Sequence, residues 1–341
     1  MRPMYRLLLL GVTALFTAPA IANTDRVIFT NGDRLTGEVK SLERGLLRFK
    51  TDAAGTIRIE WDDVAYVTSD QNIQVETQEG LRFLGHLGQP SDEFTVSIET
   101  QSGTFELDAR RVVAMTPIKE TVTGRFDGDV SAGYDFTKAT EQTQLNFALN
   151  MDYRTELRIF SLSADGLVSD GGTTDASQRH NLDFTYRRLR PNRWIYSGIV
   201  KLSRNDQLGI DLRTSAGAGI GRIIQQTNST NLLLEGGLIR NRENVSGGLE
   251  SENNWEAFAS LRWDWFRYDL PELDLSSSLV VFPNLTDSGR VRSEFNINFR
   301  WEFIDDFFWS LRYWNSRDNR PTDPNAATID YGINTSLGWD F

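Results

Sequence analysis

"YGINTSLGWDF" occupies residues 331–341. Tyr331, Ile333, Thr335, Leu337, Trp339 and Phe341 share one parity, and Gly332, Asn334, Ser336, Gly338 and Asp340 share the other. Side chains two positions apart lie on the same face of a strand. The segment therefore reads as one strand with an apolar face and a polar or very small face. A soluble edge strand carries the same pattern, so the reading turns on whether the rest of the chain repeats it.

From Gly124 onward it does. "GRFDGDVSAGYDF" (124–136) sets Phe126, Val130, Ala132, Tyr134 and Phe136 opposite Arg125, Asp127, Asp129 and Asp135. "TQLNFALNMDY" (143–153) sets Leu145, Phe147, Leu149, Met151 and Tyr153 opposite Asn146, Asn150 and Asp152. "RVRSEFNINFRW" (290–301) sets Val291, Phe295, Ile297, Phe299 and Trp301 opposite Arg292, Glu294, Asn296, Asn298 and Arg300. Further runs begin near Leu157, Arg179, Trp194, Leu208, Asn231, Trp255, Leu273 and Phe308, and the C-terminal run completes twelve. The run at Leu157 is ambiguous in parity and the one at Asn231 is short, so counts of ten and fourteen stay open beside twelve.

Two further patterns point to an antiparallel transmembrane barrel. Compact connections ("YRTE", "QQTNS", "FIDDF") alternate with longer polar ones ("SDGGTTDASQ", "NRENVSGGLESENN", "SRDNRPTDPNAAT"). Outer-membrane barrels have short periplasmic turns and longer external loops. Trp194, Trp263, Trp265, Trp301, Trp309 and Trp339 all fall on the apolar parity beside a compact turn or the chain end. That is the expected position of an aromatic girdle at one membrane interface, with Tyr134, Trp255 and Tyr331 starting the opposite one.

The N-terminal residues agree. "MRPMYRLLLLGVTALFTAPAIA" has Arg2 and Arg6, an apolar run from Leu7 to Phe16 and a small-residue ending, the pattern of a signal peptide over residues 1–22. Its run of about ten apolar residues is too short to span a bilayer as a helix. Without that segment the chain keeps 34 bases (36 less Arg2 and Arg6) against 47 acids, a net charge of -13. The absence of cysteine excludes disulfides and thiol chemistry, and two histidines are a poor basis for a zinc enzyme. A mean hydropathy of -0.39 says nothing against a barrel, whose membrane face is hidden by alternation.

Residues 23–118 read as a separate, periplasmic β-domain with an internal repeat at an offset of 48. Leu35 aligns with Phe83, Gly37 with Gly85, Gly55 with Gly103, Ile57 with Phe105 and Val64 with Val112, with one residue of slippage near Leu47 and Phe49. The expectation is two small bent modules, SH3-like or Sm-like, joined through a linker at 119–123 to a barrel over 124–341. Such folds often bind RNA, but 16 acids against 10 bases in this segment have the wrong sign for phosphate, so nucleic acid is rejected as a partner.

Asn334, Ser336, Trp339 and Phe341 resemble the C-terminal insertion signal of bacterial outer-membrane barrels, with Ser336 where glycine is usual. The resemblance implies the outer-membrane lipids and the barrel-assembly machinery as partners, the latter adding this strand to its own sheet edge. The whole arrangement, from a periplasmic β-module to "LGWDF", looks like the YdiY-like salt-induced outer-membrane proteins, a family of unknown function. That likeness implies an outer-membrane location, with no catalytic residue to carry over.

Chemistry is sparse. The glycines of "GAGIGR" (217–222) have period two and no helix follows, so they leave room for lumen side chains and no cofactor is expected. Asp127, Asp129 and Asp135 are spread along one strand, which is no compact calcium set, and no metal is expected. The inner wall is expected to mix charges: Asp127, Asp129 and Glu294 with Arg187, Lys201, Arg213, Arg240, Arg262, Arg292, Arg300 and Arg312. Twelve strands lie between the filled eight-stranded and open sixteen-stranded barrels, and mixed charge gives no ion selectivity. The expected function is non-enzymatic: a narrow or gated pore for small solutes, whose periplasmic domain binds an envelope partner or covers the mouth. The alternative is a lipid hydrolase using His180 as base, with Ser177 or Ser203 as nucleophile.

Overall fold

A computed structural model describes residues 25–138, 142–171, 174–205, 210–245, 252–320 and 328–339. The signal segment and Phe341 lie outside the described residues. Among the described residues, strands make two sheets and no helix is long and apolar enough to cross a membrane.

The N-terminal module has nine strands: β1 (Asp25–Phe29), β2 (Arg34–Glu43), β3 (Leu46–Thr51), β4 (Gly55–Glu60), β5 (Val64–Thr77), β6 (Arg82–Gly88), β7 (Thr95–Thr100), β8 (Gly103–Asp108) and β9 (Val112–Pro117). Their order is β4-β3-β2-β1-β5-β6-β7-β8, with β9 paired to β2 and β5. The repeat is visible in the backbone. Two 3₁₀ turns, Trp61–Asp63 and Ala109–Arg111, stand 48 residues apart, and each leads into the last strand of its copy. Long β5 serves both copies: its first half pairs β1 (Arg26 with Thr68) and its second half pairs β9 (Val75 with Met115). One core runs through both copies, with Val27, Val39, Phe49, Trp61, Ile73, Ile98 and Met115 buried together. The Trp61 indole Nε1 donates to the Ala109 carbonyl at 2.7 Å, tying one 3₁₀ turn to the other.

The second sheet has twelve strands: β10 (Phe126–Thr137), β11 (Gln142–Arg154), β12 (Arg158–Gly171), β13 (Thr174–Leu189), β14 (Trp194–Asn205), β15 (Ile210–Gln226), β16 (Thr230–Val245), β17 (Glu252–Arg267), β18 (Glu272–Pro283), β19 (Val291–Ile304), β20 (Phe307–Asp318) and β21 (Ile329–Trp339). Each pairs antiparallel with its neighbours in sequence. The all-β class and the twelve-stranded antiparallel sheet are as the sequence predicts, and the sheet fits a barrel. It is not closed here: β10 and β21 each have one partner, and both are exposed on both faces. The sheet is nevertheless strongly curled, since residues of every strand from β13 to β20 line one cavity.

Register assigns the faces. Phe126 stands opposite Tyr153, Tyr153 opposite Phe160, and Phe160 opposite Tyr186, so one apolar face continues from strand to strand. This resolves the ambiguous third run: Phe160, Leu162 and Val168 share the apolar face, whereas Ser161, Ser163 and Asp165 line the inner one. All six tryptophans assigned to the compact-turn girdle fall on the outward parity. The polar stretches near 169–178 and 241–254 are mostly strand, not loop: β12 and β13 pair as far as Gly171 with Thr174, and β16 pairs β17 at Glu243 with Glu252.

Candidate functional site

The inner wall of the curled sheet encloses a cavity of about 770 Å³. Alternation places its polar side chains, and register aligns them across strands. Arg213, Arg262, Arg292 and Glu294 line it, together with Arg187 and Lys201. Lys201 pairs with Asp183 at 3.1 Å. Arg292 reaches across β18 to Glu256 on β17, donating from Nε at 3.1 Å and Nη2 at 2.7 Å, and Asn241 donates to the same carboxylate at 2.8 Å. A buried carboxylate needs such partners, because an unpaired one would be strongly penalised. Glu256 gave no sequence signal beyond its parity.

The other predicted wall charges lie outside this cavity. Asp127 stands directly opposite Asp152, and Asp129 accepts from the Asn150 amide at 3.2 Å, both on the edge of the sheet. Arg300 sits over the Phe308 ring at 3.5 Å and pairs with Glu302 at 3.4 Å. Arg312 donates to Asn298 at 3.2 Å. Arg240 is corrected: it stands opposite Trp255 on the outward face, 5.8 Å over that ring. Among the described residues no cluster of His, Asp or Glu has the form of a metal site.

The period-two glycines have a definite use. A Cβ on Gly219 would lie 2.8 Å from the Phe258 ring and 2.9 Å from the Ser197 hydroxyl. The bare backbone of β15 is thus the seat of an inward phenylalanine, which narrows the lumen. Ser197 in turn donates to Glu235.

One end of the lumen is covered by the N-terminal module. Its β2–β3 hairpin turns through Arg44 and Gly45, with φ 52° and 69°, the positive pair of a type I′ turn. The turn projects Arg44 into the mouth of the sheet. There the guanidinium donates to Asp274 at 2.5 Å and to Ser276 at 3.3 Å, lies 4.0 Å from Asp264, and covers the fully buried Phe266 ring at 4.8 Å. Burial works against its charge, but Asp274 and Asp264 outweigh that and raise the Arg44 pKa. Gly45 is required by close approach, since a Cβ there would meet the Asn228 carbonyl oxygen at 2.6 Å.

The other compact turns dock similarly. Gln74 donates to the Glu156 carbonyl at 2.9 Å, Arg82 to the Arg190 carbonyl at 3.2 Å, and Asn228 to the Val112 carbonyl at 3.1 Å. Arg193 donates to the Gln78 carbonyl. Inward Leu189, Ile195 and Phe266 are buried at this end, so an apolar floor lies between the charged cavity and the module. Sequence reasoning missed Arg44; an Arg-Gly turn between two alternating runs was its only trace.

His180 belongs to the outward face, stacked on Phe147 at 6.1 Å. Ser177 and Ser203 have the opposite parity, Ser203 pairing with inward Asn181. In the last strand Asn334 and Ser336 face inward, Ser336 sharing a 2.7 Å hydrogen bond with Ser310, and Trp339 faces outward.

With that geometry established, comparison with known proteins gives one match. A family model described as a protein of unknown function, DUF481, covers residues 130–341. The chain belongs to the DUF481 family. No curated protein and no solved structure matches it significantly. The DUF481 match takes in the strands of the curled sheet from within β10 to β21, so the capping module lies outside the matched residues.

Proposed function

We propose that the chain is a bacterial outer-membrane β-barrel protein: a non-enzymatic, gated conduit for small solutes, closed at its periplasmic end by the N-terminal module. The observation that carries this reading is the division of the two faces. Large apolar side chains remain exposed on the outer face (Val130 79%, Leu337 67%), while Arg213, Arg262, Arg292, Glu256 and Glu294 line the inner cavity. Monomeric soluble proteins rarely expose so continuous an apolar surface. In a bilayer the backbone polar groups along β10 and β21 must be satisfied, and their mutual pairing would close the sheet at an even strand number.

In this reading residues 1–22 direct export and the module consists of two SH3-like units in the periplasm. Asn334, Ser336, Trp339 and Phe341 engage the assembly machinery, and the kinship is with the YdiY-like salt-induced proteins. The module's contact with the compact turns favours its covering the mouth, which leaves its exposed strands to an envelope partner. A hydrolase built on His180 would need a serine on the same face, and neither Ser177 nor Ser203 is there.

Conductance of the full chain in planar bilayers tests the proposal. Wild type should be mostly closed, and Arg44→Ala should raise the open fraction by loosening the cover. Absence of conductance in both proteins, despite detergent-resistant insertion, would remove the conduit.

A further inference from the structure

Four neighbouring strands separate their outward charges with unusual strictness. On β12 these positions are Arg158, Phe160, Leu162, Ala164, Gly166 and Val168; on β13 they run from Gln178 to Arg188. On β14 they run from Trp194 to Arg204, and on β15 from Leu212 to Arg222. None is Asp or Glu. Trp194 and Arg204 are ten positions apart, which at roughly 3.3 Å per residue and a tilt of about 40° spans about 25 Å, the height of an outer-membrane apolar band.

The module end of this band is crowded with guanidinium groups. Arg158 and Arg188 occupy directly opposed register positions on the same face. Like charges so placed repel. Neither guanidinium is in an ion pair among the described residues, although an adjoining groove lined by Lys119, Glu120, Arg125, Glu156 and Arg158 brings two acids nearby. Arg190 lies over the Tyr196 ring at 5.4 Å, and Arg222 over the Trp194 ring at 5.5 Å. Tyr196 pairs with Arg188, and Trp194 with Arg222, so the four cations and two rings form one patch.

We infer that Arg158, Arg188, Arg190 and Arg222 bind the phosphate of a phospholipid headgroup, with Trp194 and Tyr196 against its glycerol region. The inference rests on the membrane reading above. At the boundary of the apolar band the counter-charge must be an anion that stays at that depth. The guanidinium fork matches phosphate oxygens bidentately, and an anion between Arg158 and Arg188 converts their repulsion into two attractions. Aromatic rings amphipathic enough to sit at the headgroup level complete the site.

The test measures lipid phosphorus retained per full-length protein after exhaustive detergent washing, following reconstitution with phosphatidylglycerol. Arg158→Gln/Arg188→Gln should retain several-fold less than wild type, and Arg158→Lys/Arg188→Lys an intermediate amount. Heat-modifiable migration of each variant confirms that its barrel is folded. Equal retention by wild type and the Gln variant overturns the site. So does a thermal stabilisation by inorganic phosphate equal to that by the lipid, since the ligand would then be a free ion. Failure of wild type to enter any bilayer overturns the membrane reading itself, and the site with it.

Discussion

Val39 and Val130 both sit at alternate positions of antiparallel strands, yet Val39 is fully buried and Val130 is 79% exposed. In the module, alternation directs apolar side chains into a core shared by two repeats, and the polar parity faces out. In the twelve-stranded sheet the same alternation is turned inside out, with Arg292 and Glu256 paired inside and Phe147 and Leu145 outside. The difference teaches that period two fixes which residues share a face and leaves open which face meets water. Strand number and curl decide that: two small bent units close over their apolar sides, whereas a broad curled sheet encloses its polar one.

The sharpest way to break the comparison is to remove a large apolar residue from each region. Phe49 is fully buried in the module core, so Phe49→Ala should cost about 3–5 kcal/mol in the module's unfolding. Leu337 is 67% exposed on the outer face, and Leu337→Ala should leave detergent-solubilised stability within roughly 0.5 kcal/mol of wild type. Denaturant titrations followed by tryptophan fluorescence compare the two. Similar losses at both positions would mean that the outer face is packed against something, contrary to the inside-out arrangement.

The second experiment adds charge. Ala218 occupies the middle of the outward face on β15, between Gly198 and Leu238. Ala218→Arg should destabilise the bilayer-inserted protein by about 2–4 kcal/mol, the cost of a cation near the midplane. The same substitution at exposed Ala54 in the module should be close to neutral. Folding into vesicles from urea measures the first, and a neutral result there would sink the lipid-facing assignment.

How much of this was legible beforehand follows from the same rule. Parity gave the strand count and which residues of each strand share a face, because both depend only on spacing within a strand. Arg240 was misassigned because its run was short and glycine-rich, so parity had to be counted without the register that pairs it with Trp255. Arg44 was invisible for a different reason: its contacts with Asp264 and Asp274 span more than two hundred residues, and no local pattern encodes how one domain meets another.

Gly45 sharpens that boundary between the regions. Gly45→Ala should weaken docking by roughly 1–2 kcal/mol, combining a positive φ with a Cβ 2.6 Å from the Asn228 oxygen. Faster protease cleavage within the module-facing turns, with an unchanged module fold by circular dichroism, is the expected result. Unchanged cleavage would mean that the hairpin tip does not hold the two regions together.

The smallest effect is electrostatic. Burial raises the Glu60 pKa, and Asp269, Asp63, Glu272 and Asp62 raise it further by repulsion, Asp269 lying in the facing β17–β18 turn and Glu272 at the start of β18. A carboxyl whose pKa rises on docking contributes fully below its ordinary value of 4.5 and loses that contribution as pH climbs through the raised value. Glu38 behaves oppositely. Burial alone would raise its pKa, but hydrogen bonds and attraction from Lys40 and Lys119 carry it below 4.5, so its contribution is present above that value and lost in acid. Docking should therefore loosen slightly as pH rises above the ordinary carboxylate value of 4.5, by less than about 1 kcal/mol for a group this exposed. Glu60→Gln should remove that slope, whereas the Glu38 pairs with Lys40 and Lys119 lie within the module and its linker and act on the module's own stability in stronger acid. A slope that survives the substitution would assign the effect to another group at the interface.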